Sequence, residues 1–192
     1  TELCELPLFI KIGGCEANTD IRNCINLGVD AVVAPMVETP FALSKFLNAV
    51  GKDAQIKTLF LCESITAYDN LDSIFSLKEA ERLTGIIVGR SDFTKSMGLN
   101  KSEVDTKKIC DHVEKTLKTA KSKKLITTMG GNISTKSSCF IKKMFEKGLL
   151  DKIETRNVII QLNEDNIMRL KEVIRQALDF EINWLRYNSR SY

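Results

Sequence analysis

The stretch Leu59–Leu99, LFLCESITAYDNLDSIFSLKEAERLTGIIVGRSDFTKSMGL, decides the fold. Two apolar runs, Leu59-Phe60-Leu61 and Gly85-Ile86-Ile87-Val88-Gly89, each lead into a carboxylate, Glu63 after the first and Asp92 after the second. Between them Leu71, Ile74, Phe75, Leu77 and Leu83 are the apolar positions of a helical crossover. A strand–helix–strand unit with a crossover of that length makes its strands parallel. Both carboxylates then emerge at the C-terminal edge of the sheet, where α/β proteins place their chemistry. Two hard oxygen ligands at one mouth suit Mg²⁺ or Mn²⁺. The same residues also have local roles open to them: Asp92 as an N-cap or Asx turn, and Glu63 as a cap of the next helix.

Outward from this unit the pattern repeats. Leu8–Ile12 reads as a buried strand ended by Gly13-Gly14, and residues 16–27 as a helix with Ile21, Cys24, Ile25 and Leu27 at helical spacing, stopped by Gly28. Asp30–Met36 is a second strand, and Thr39-Pro40 supplies a cap and an N1 proline for a helix carrying Phe41, Leu43, Phe46, Leu47 and Val50. Beyond Leu99, residues 102–121 give an amphipathic helix with Ile109, Val113 and Leu117 on one stripe. Leu125–Met129 is a strand, Ser137–Leu149 a helix, Ile153–Ile160 the last strand, and residues 164–186 a final helix before a polar tail. Residues 1–7 read as the tail of a helix and a turn broken at Pro7. About six β-then-α units in alternation predict a parallel sheet covered by helices. Of the two architectures that satisfy this pattern, a (β/α)8 barrel suits strands that each end in polar residues better than a doubly wound sheet. Yet 192 residues fall short of the ~250 typical of that barrel. Residues 1–192 are therefore read as one incomplete TIM-barrel domain, with two βα units expected to be missing before Thr1.

Composition is that of an ordinary globular chain, 43% hydrophobic and 28% charged. A net charge of +3 does not point to nucleic acid or a membrane surface. The lysines of 107–124 interleave with acidic residues and lack aromatic companions, so they read as a solvated face. No apolar run is long enough to span a bilayer, and no signal-peptide pattern opens the chain. The six cysteines are scattered without a CxxC pair and read as reduced thiols of a cytoplasmic protein. The single histidine, His112, has no second imidazole with which to share a metal and reads as a surface helix residue.

The segments GVDAVVAPMVET (28–39), CESITAYDNLDSI (62–74) and GIIVGRSDFTKSMG (85–98) together resemble the HpcH/HpaI aldolase and citrate lyase β-subunit superfamily. KIGGCEA (11–17) and IETRNVII (153–160) look like a less characterised branch, and the likeness covers residues 8–160. The resemblance implies a TIM barrel in which Glu63 and Asp92 bind Mg²⁺ or Mn²⁺. It also implies a metal-dependent carbon–carbon lyase acting on a 2-keto acid or acyl-CoA-like substrate, assembled as a homo-oligomer. The metal would act as a Lewis acid where enolate charge develops, and amides around Gly89, Ser91 and Asp92 would receive the substrate carboxylate. The chain departs from the family's form at three places. Lys11 stands where the family carries an arginine, keeping the charge but not the fork. Arg90-Ser91 replaces Pro-Asn, so Arg90 is either a substitute guanidinium or a surface residue. The family's acid/base histidine belongs to a strand that would precede Thr1.

Further mouth residues are Glu16, as an orienting carboxylate or a helix cap, and Asn132 and Ser134, as phosphate or hydroxyl contacts. Glu154 and Arg156 lie two apart on the last strand, hence on one face, as an ion pair or with Arg156 on the substrate. The rival function is a non-catalytic truncated barrel that binds a small anion or a partner chain.

Overall fold

The computed structural model describes residues 6–189. Its sheet has strands β1 (Phe9–Lys11), β2 (Ala31–Ala34), β3 (Lys57–Cys62), β4 (Gly85–Gly89), β5 (Ile126–Gly130), β6 (Lys152–Glu154) and β7 (Ile159–Gln161), in spatial order β1 to β7. Each pair from β1 to β6 is parallel and sequential, as the repeated strand-then-helix pattern predicts. The helices are α1 (Asn18–Asn26), α2 (Pro40–Val50), α3 (Ile65–Asp69), α4 (Leu71–Ser76), α5 (Arg90–Ser96), α6 (Lys107–Ser122), α7 (Ser138–Glu146), α8 (Glu164–Met168) and α9 (Leu170–Ser189). Thr39 caps α2 by accepting the Ala42 N–H at 3.1 Å, with Pro40 in the first turn.

Period-2 alternation sorts each strand onto two faces. Outward residues such as Val32, Phe60, Ile86 and Val88 pack under the helices. A smaller cluster of Ala31, Val33, Leu59, Leu61 and Ile87, with Phe9 against it, lines the concave inner face. The inward rows run across the sheet in register, one through Leu61, Ile87, Thr128, Lys152 and Gln161, the next through Gly89, Gly130 and Glu154. Lys152 Nζ lies 5.1 Å from the centre of the Phe9 ring, so β6 and β1 face one another across the lumen. The sheet is therefore curled into a large part of a barrel. A cavity of about 920 Å³ separates its two edges, with β1, the β6–β7 hairpin and α9 as walls.

Three expectations are corrected. Ile153–Ile160 is not one strand: β6 and β7 form an antiparallel hairpin through Arg156-Asn157, closed by Thr155 N–H donating to the Val158 carbonyl at 2.9 Å. Asparagine favours such a turn, and the Asn157 N–H is held by Glu181 Oε1 on α9 at 3.1 Å. The crossover between β3 and β4 is broken into α3, α4 and a 3₁₀ turn over Lys78–Arg82. The final helix is likewise split at Arg169 into α8 and α9. The reading of residues 1–5 lies outside the described residues.

Candidate functional site

Glu63 follows β3 and continues its inward row. It is only 6% exposed, and a Cβ on Gly89 would come within 3.0 Å of the Glu63 Cβ, so the glycine makes room for this side chain. Glu63 Oε1 accepts the Met36 N–H at 3.2 Å. Met36 presents that amide from a left-handed backbone (φ 54°), a conformation that costs a non-glycine residue roughly 1–2 kcal/mol. No basic side chain forms an ion pair with Glu63 among the described residues. Burial pushes its carboxyl above the usual range; Lys11 and the Met36 amide oppose this, while Asp92 and Glu38 add to it.

Asp92 lies in the first turn of α5, exposed, and its Oδ1 meets Lys95 Nζ at 3.0 Å. Its charge reaches Glu63, but its direct partner is that surface lysine. Lys11, at the end of β1, lines the cavity and acts electrostatically on both Glu63 and Glu154. Glu38, in the loop between β2 and α2, accepts a short hydrogen bond from the Ser64 hydroxyl. Its place was visible in PMVET, a carboxylate at the same edge of the preceding strand, and sequence reasoning passed over it.

Arg90 is neither a surface residue nor at the mouth: it is 0% exposed. Its Nη1 meets Asp105 Oδ1 at 2.7 Å and the Val104 carbonyl at 3.4 Å, Nη2 the Ser137 hydroxyl at 3.1 Å, and Nε the Gly130 carbonyl at 3.3 Å. Four of its five N–H donors are engaged and the side chain is buried, so the guanidinium fixes the β4–α5 turn and is not presented to a substrate. Ser91 is half-buried beside it. Gly131 (φ 80°) presses against this turn so closely that a Cβ would stand 2.4 Å from the Ser91 nitrogen and 2.6 Å from that of Arg90. The Ser91 amide, one of those expected to take a carboxylate, is thus faced by backbone.

The remaining expected residues lie apart. Glu16 is exposed and pairs with Lys45 of α2 at 2.9 Å, which is neither a cap nor a mouth contact. Asn132 (φ 54°) donates to the Lys101 carbonyl at 3.3 Å, and Ser134 accepts the Lys136 N–H. Arg156 sits in the hairpin turn and lines the same cavity as Glu154, but the two form no ion pair among the described residues. That overturns the expected lumen pair, because the strand ends at Glu154. Glu154 instead points inward beside Gly130 with Oε2 buried and unpartnered; burial raises its carboxyl to about 7 against the opposing charge of Lys11, with Glu63 adding to the rise. His112 is half-buried between Tyr68 and Phe93, at ring-centre distances of 4.8 and 5.7 Å. The five described cysteines are free thiols.

A family model for the HpcH/HpaI aldolase/citrate lyase family matches residues 8–144. The chain belongs to this family. Among solved structures, an HpcH/HpaI aldolase from Desulfitobacterium hafniense shares 11% identity at TM-score 0.65, over 80% of this chain and 67% of that one. A variant of the citrate synthase SbnG shares 13% identity at TM-score 0.65, over 95% and 74%. An HpcH/HpaI aldolase/citrate lyase family protein from Burkholderia cenocepacia shares 14% at TM-score 0.61, over 91% and 73%. At such identities the likeness is one of fold. No curated protein matches. As a member of a family of aldolases and lyases, the chain carries a lyase-type scaffold, and among its described residues no helix is long and apolar enough to cross a membrane.

A divalent ion is implied by the family, and the donor chemistry fits one. Glu63 is a desolvated carboxylate with no countercharge bonded to it, and Asp92 is held only by an exposed ion pair of the kind worth at most about 1 kcal/mol. Among the described residues no three His, Cys, Asp or Glu side chains gather as a metal cage. Mg²⁺ and Mn²⁺ sites do not need one, since water and substrate complete the shell.

Proposed function

We propose that this chain is a divalent-metal-dependent carbon–carbon lyase of the aldolase or citrate-lyase type, acting on a 2-keto acid or an acyl-CoA-like carboxylate. The observation that carries the reading is Glu63, a carboxylate taken out of water at the rim of a curled parallel sheet without a basic partner. Burying such a group unpaired opposes folding unless function needs it. Glu63 and Asp92 would hold Mg²⁺ or Mn²⁺, which when bound supplies Lewis-acid polarisation of a substrate oxygen. Lys11 offers the substrate carboxylate a positive charge from the facing strand. Arg90 acts at one remove, holding rigid the turn from which Asp92 projects.

The test is Mn²⁺ binding followed by electron paramagnetic resonance. Asp92→Ala should abolish binding while circular dichroism stays unchanged; undiminished affinity would refute the assignment and leave the anion- or partner-binding barrel as the reading. The assembly proposed is a homo-oligomer through α9, where Phe180, Ile182, Trp184 and Leu185 are exposed and Phe180 stacks on Trp184. Sedimentation at high concentration should show it, and a sole monomeric species would rule it out.

A further inference from the structure

β6 lies beyond residue 144, where the match to the family model ends, yet it carries two charged side chains on the inward face. Lys152 and Glu154 are two residues apart, about 6.6 Å along the strand, and both line the lumen cavity. Lys152 Nζ rests against the Phe9 ring and forms no ion pair among the described residues. The carboxylate beside it in sequence, Asp151, is taken by Lys121 and by the Thr127 N–H. Burial, with the like charge of Lys57, holds the Lys152 ammonium below the usual lysine range, and only Asp151 acts the other way. Two residues on, Glu154 keeps one oxygen buried and without a partner, facing the charges of Lys11 and Glu63.

We infer that the lumen is a second reactive site, in which Lys152 Nζ forms an imine with a small 2-keto acid or aldehyde while Glu154 carries the proton. A half-buried lysine with no ion-pair partner among the described residues, its ammonium against an aromatic ring, favours the neutral amine that attacks a carbonyl. Phe9, Val33, Leu61 and Ile87 give the cavity an apolar wall, and Lys11 at its rim provides the charge to receive a keto-acid carboxylate. The neutral amine's lone pair forms the C–N bond, and the carbonyl π pair moves to oxygen, which takes a proton from solvent water. The nitrogen loses one proton to the Glu154 carboxylate. The acid so formed protonates the departing hydroxyl, which leaves as water. As the C=N bond closes, the last proton on nitrogen returns to the hydroxide left in solvent by the first step. The net change is amine plus carbonyl to imine plus water, with no oxidant or reductant consumed. The site needs no metal, so it stands or falls apart from the lyase reading.

The experiment is reductive trapping on the intact chain at neutral pH, with pyruvate and cyanoborohydride in the presence of EDTA, followed by peptide mapping. The expected result is one dominant adduct, the mass of pyruvic acid less one oxygen, on Lys152. Lys152→Arg should lose it, and Glu154→Gln should slow its formation by about 10²-fold. Label spread over the exposed lysines with Lys152 unmodified would overturn the proposal, as would an unchanged rate in the Glu154 variant for the proton-carrying role. Mapping of the unsubstituted chain decides the main point even where a variant misfolds.

Discussion

Arg90, fully buried, and Glu154, half-buried with one oxygen out of water, meet at one residue. Arg90 Nε donates to the Gly130 carbonyl, and the Glu154 side chain lies against the Gly130 Cα from the lumen. On the helix side of the sheet every guanidinium nitrogen has an acceptor, and Asp105 supplies the countercharge. On the lumen side a carboxylate oxygen has none, and Glu63 in the same row lacks a basic partner too. Desolvated charge costs several kcal/mol whichever its sign. The outer charge is answered and holds the fold, whereas Glu154 is left open toward a cavity where a ligand can answer it.

The largest effect should come from breaking the answered side. Arg90→Ala leaves Asp105, Ser137 and the Gly130 carbonyl without their donors and should lower unfolding stability in urea by about 3–5 kcal/mol. Arg90→Lys should recover little of it, because the fork is lost. A loss below 1 kcal/mol would mean that the guanidinium is no strut.

The unanswered side should behave oppositely. The Glu154 carboxyl is raised from 4.5 to about 7 in the folded chain. Between those values the folded state binds more protons at this group than the unfolded one, so the contribution of Glu154 to stability is fully present below about 4.5 and is lost as pH rises through about 7. The difference is on the order of 3 kcal/mol. Glu154→Gln should remove that decline between pH 5 and pH 8. A variant that tracks the unsubstituted chain across this range would contradict the unpartnered carboxyl.

These two sides also differ in how far the sequence reveals them. Strands β1 to β5 were legible because each is an apolar run bounded by glycine or polar residues, and parallel pairing follows from the helical connections between them. Glu63 and Asp92 could be placed at one edge by counting from those runs. What sequence cannot carry is the destination of a long side chain. Arg90 goes under the helices because Asp105 and Ser137, 15 and 47 residues on, converge to receive it. Glu154 was read into an ion pair because strand periodicity was extended through Arg156-Asn157, where the asparagine signals a turn. The breaks at Asn70 and Leu77 likewise escape apolar spacing, since α3, α4 and the 3₁₀ turn keep Leu71, Ile74, Phe75 and Leu83 buried across the interruptions.

The most direct measurement is the thermal melting of the unsubstituted chain and of Glu63→Gln at pH 7.5, with and without Mn²⁺. Mn²⁺ should raise the melting temperature of the unsubstituted chain. Without metal, Glu63→Gln should melt higher than the unsubstituted chain, being relieved of an uncompensated buried charge, and it should not respond to the ion. Melting that ignores Mn²⁺ in both chains, or a glutamine variant that melts lower, would contradict the role given to Glu63.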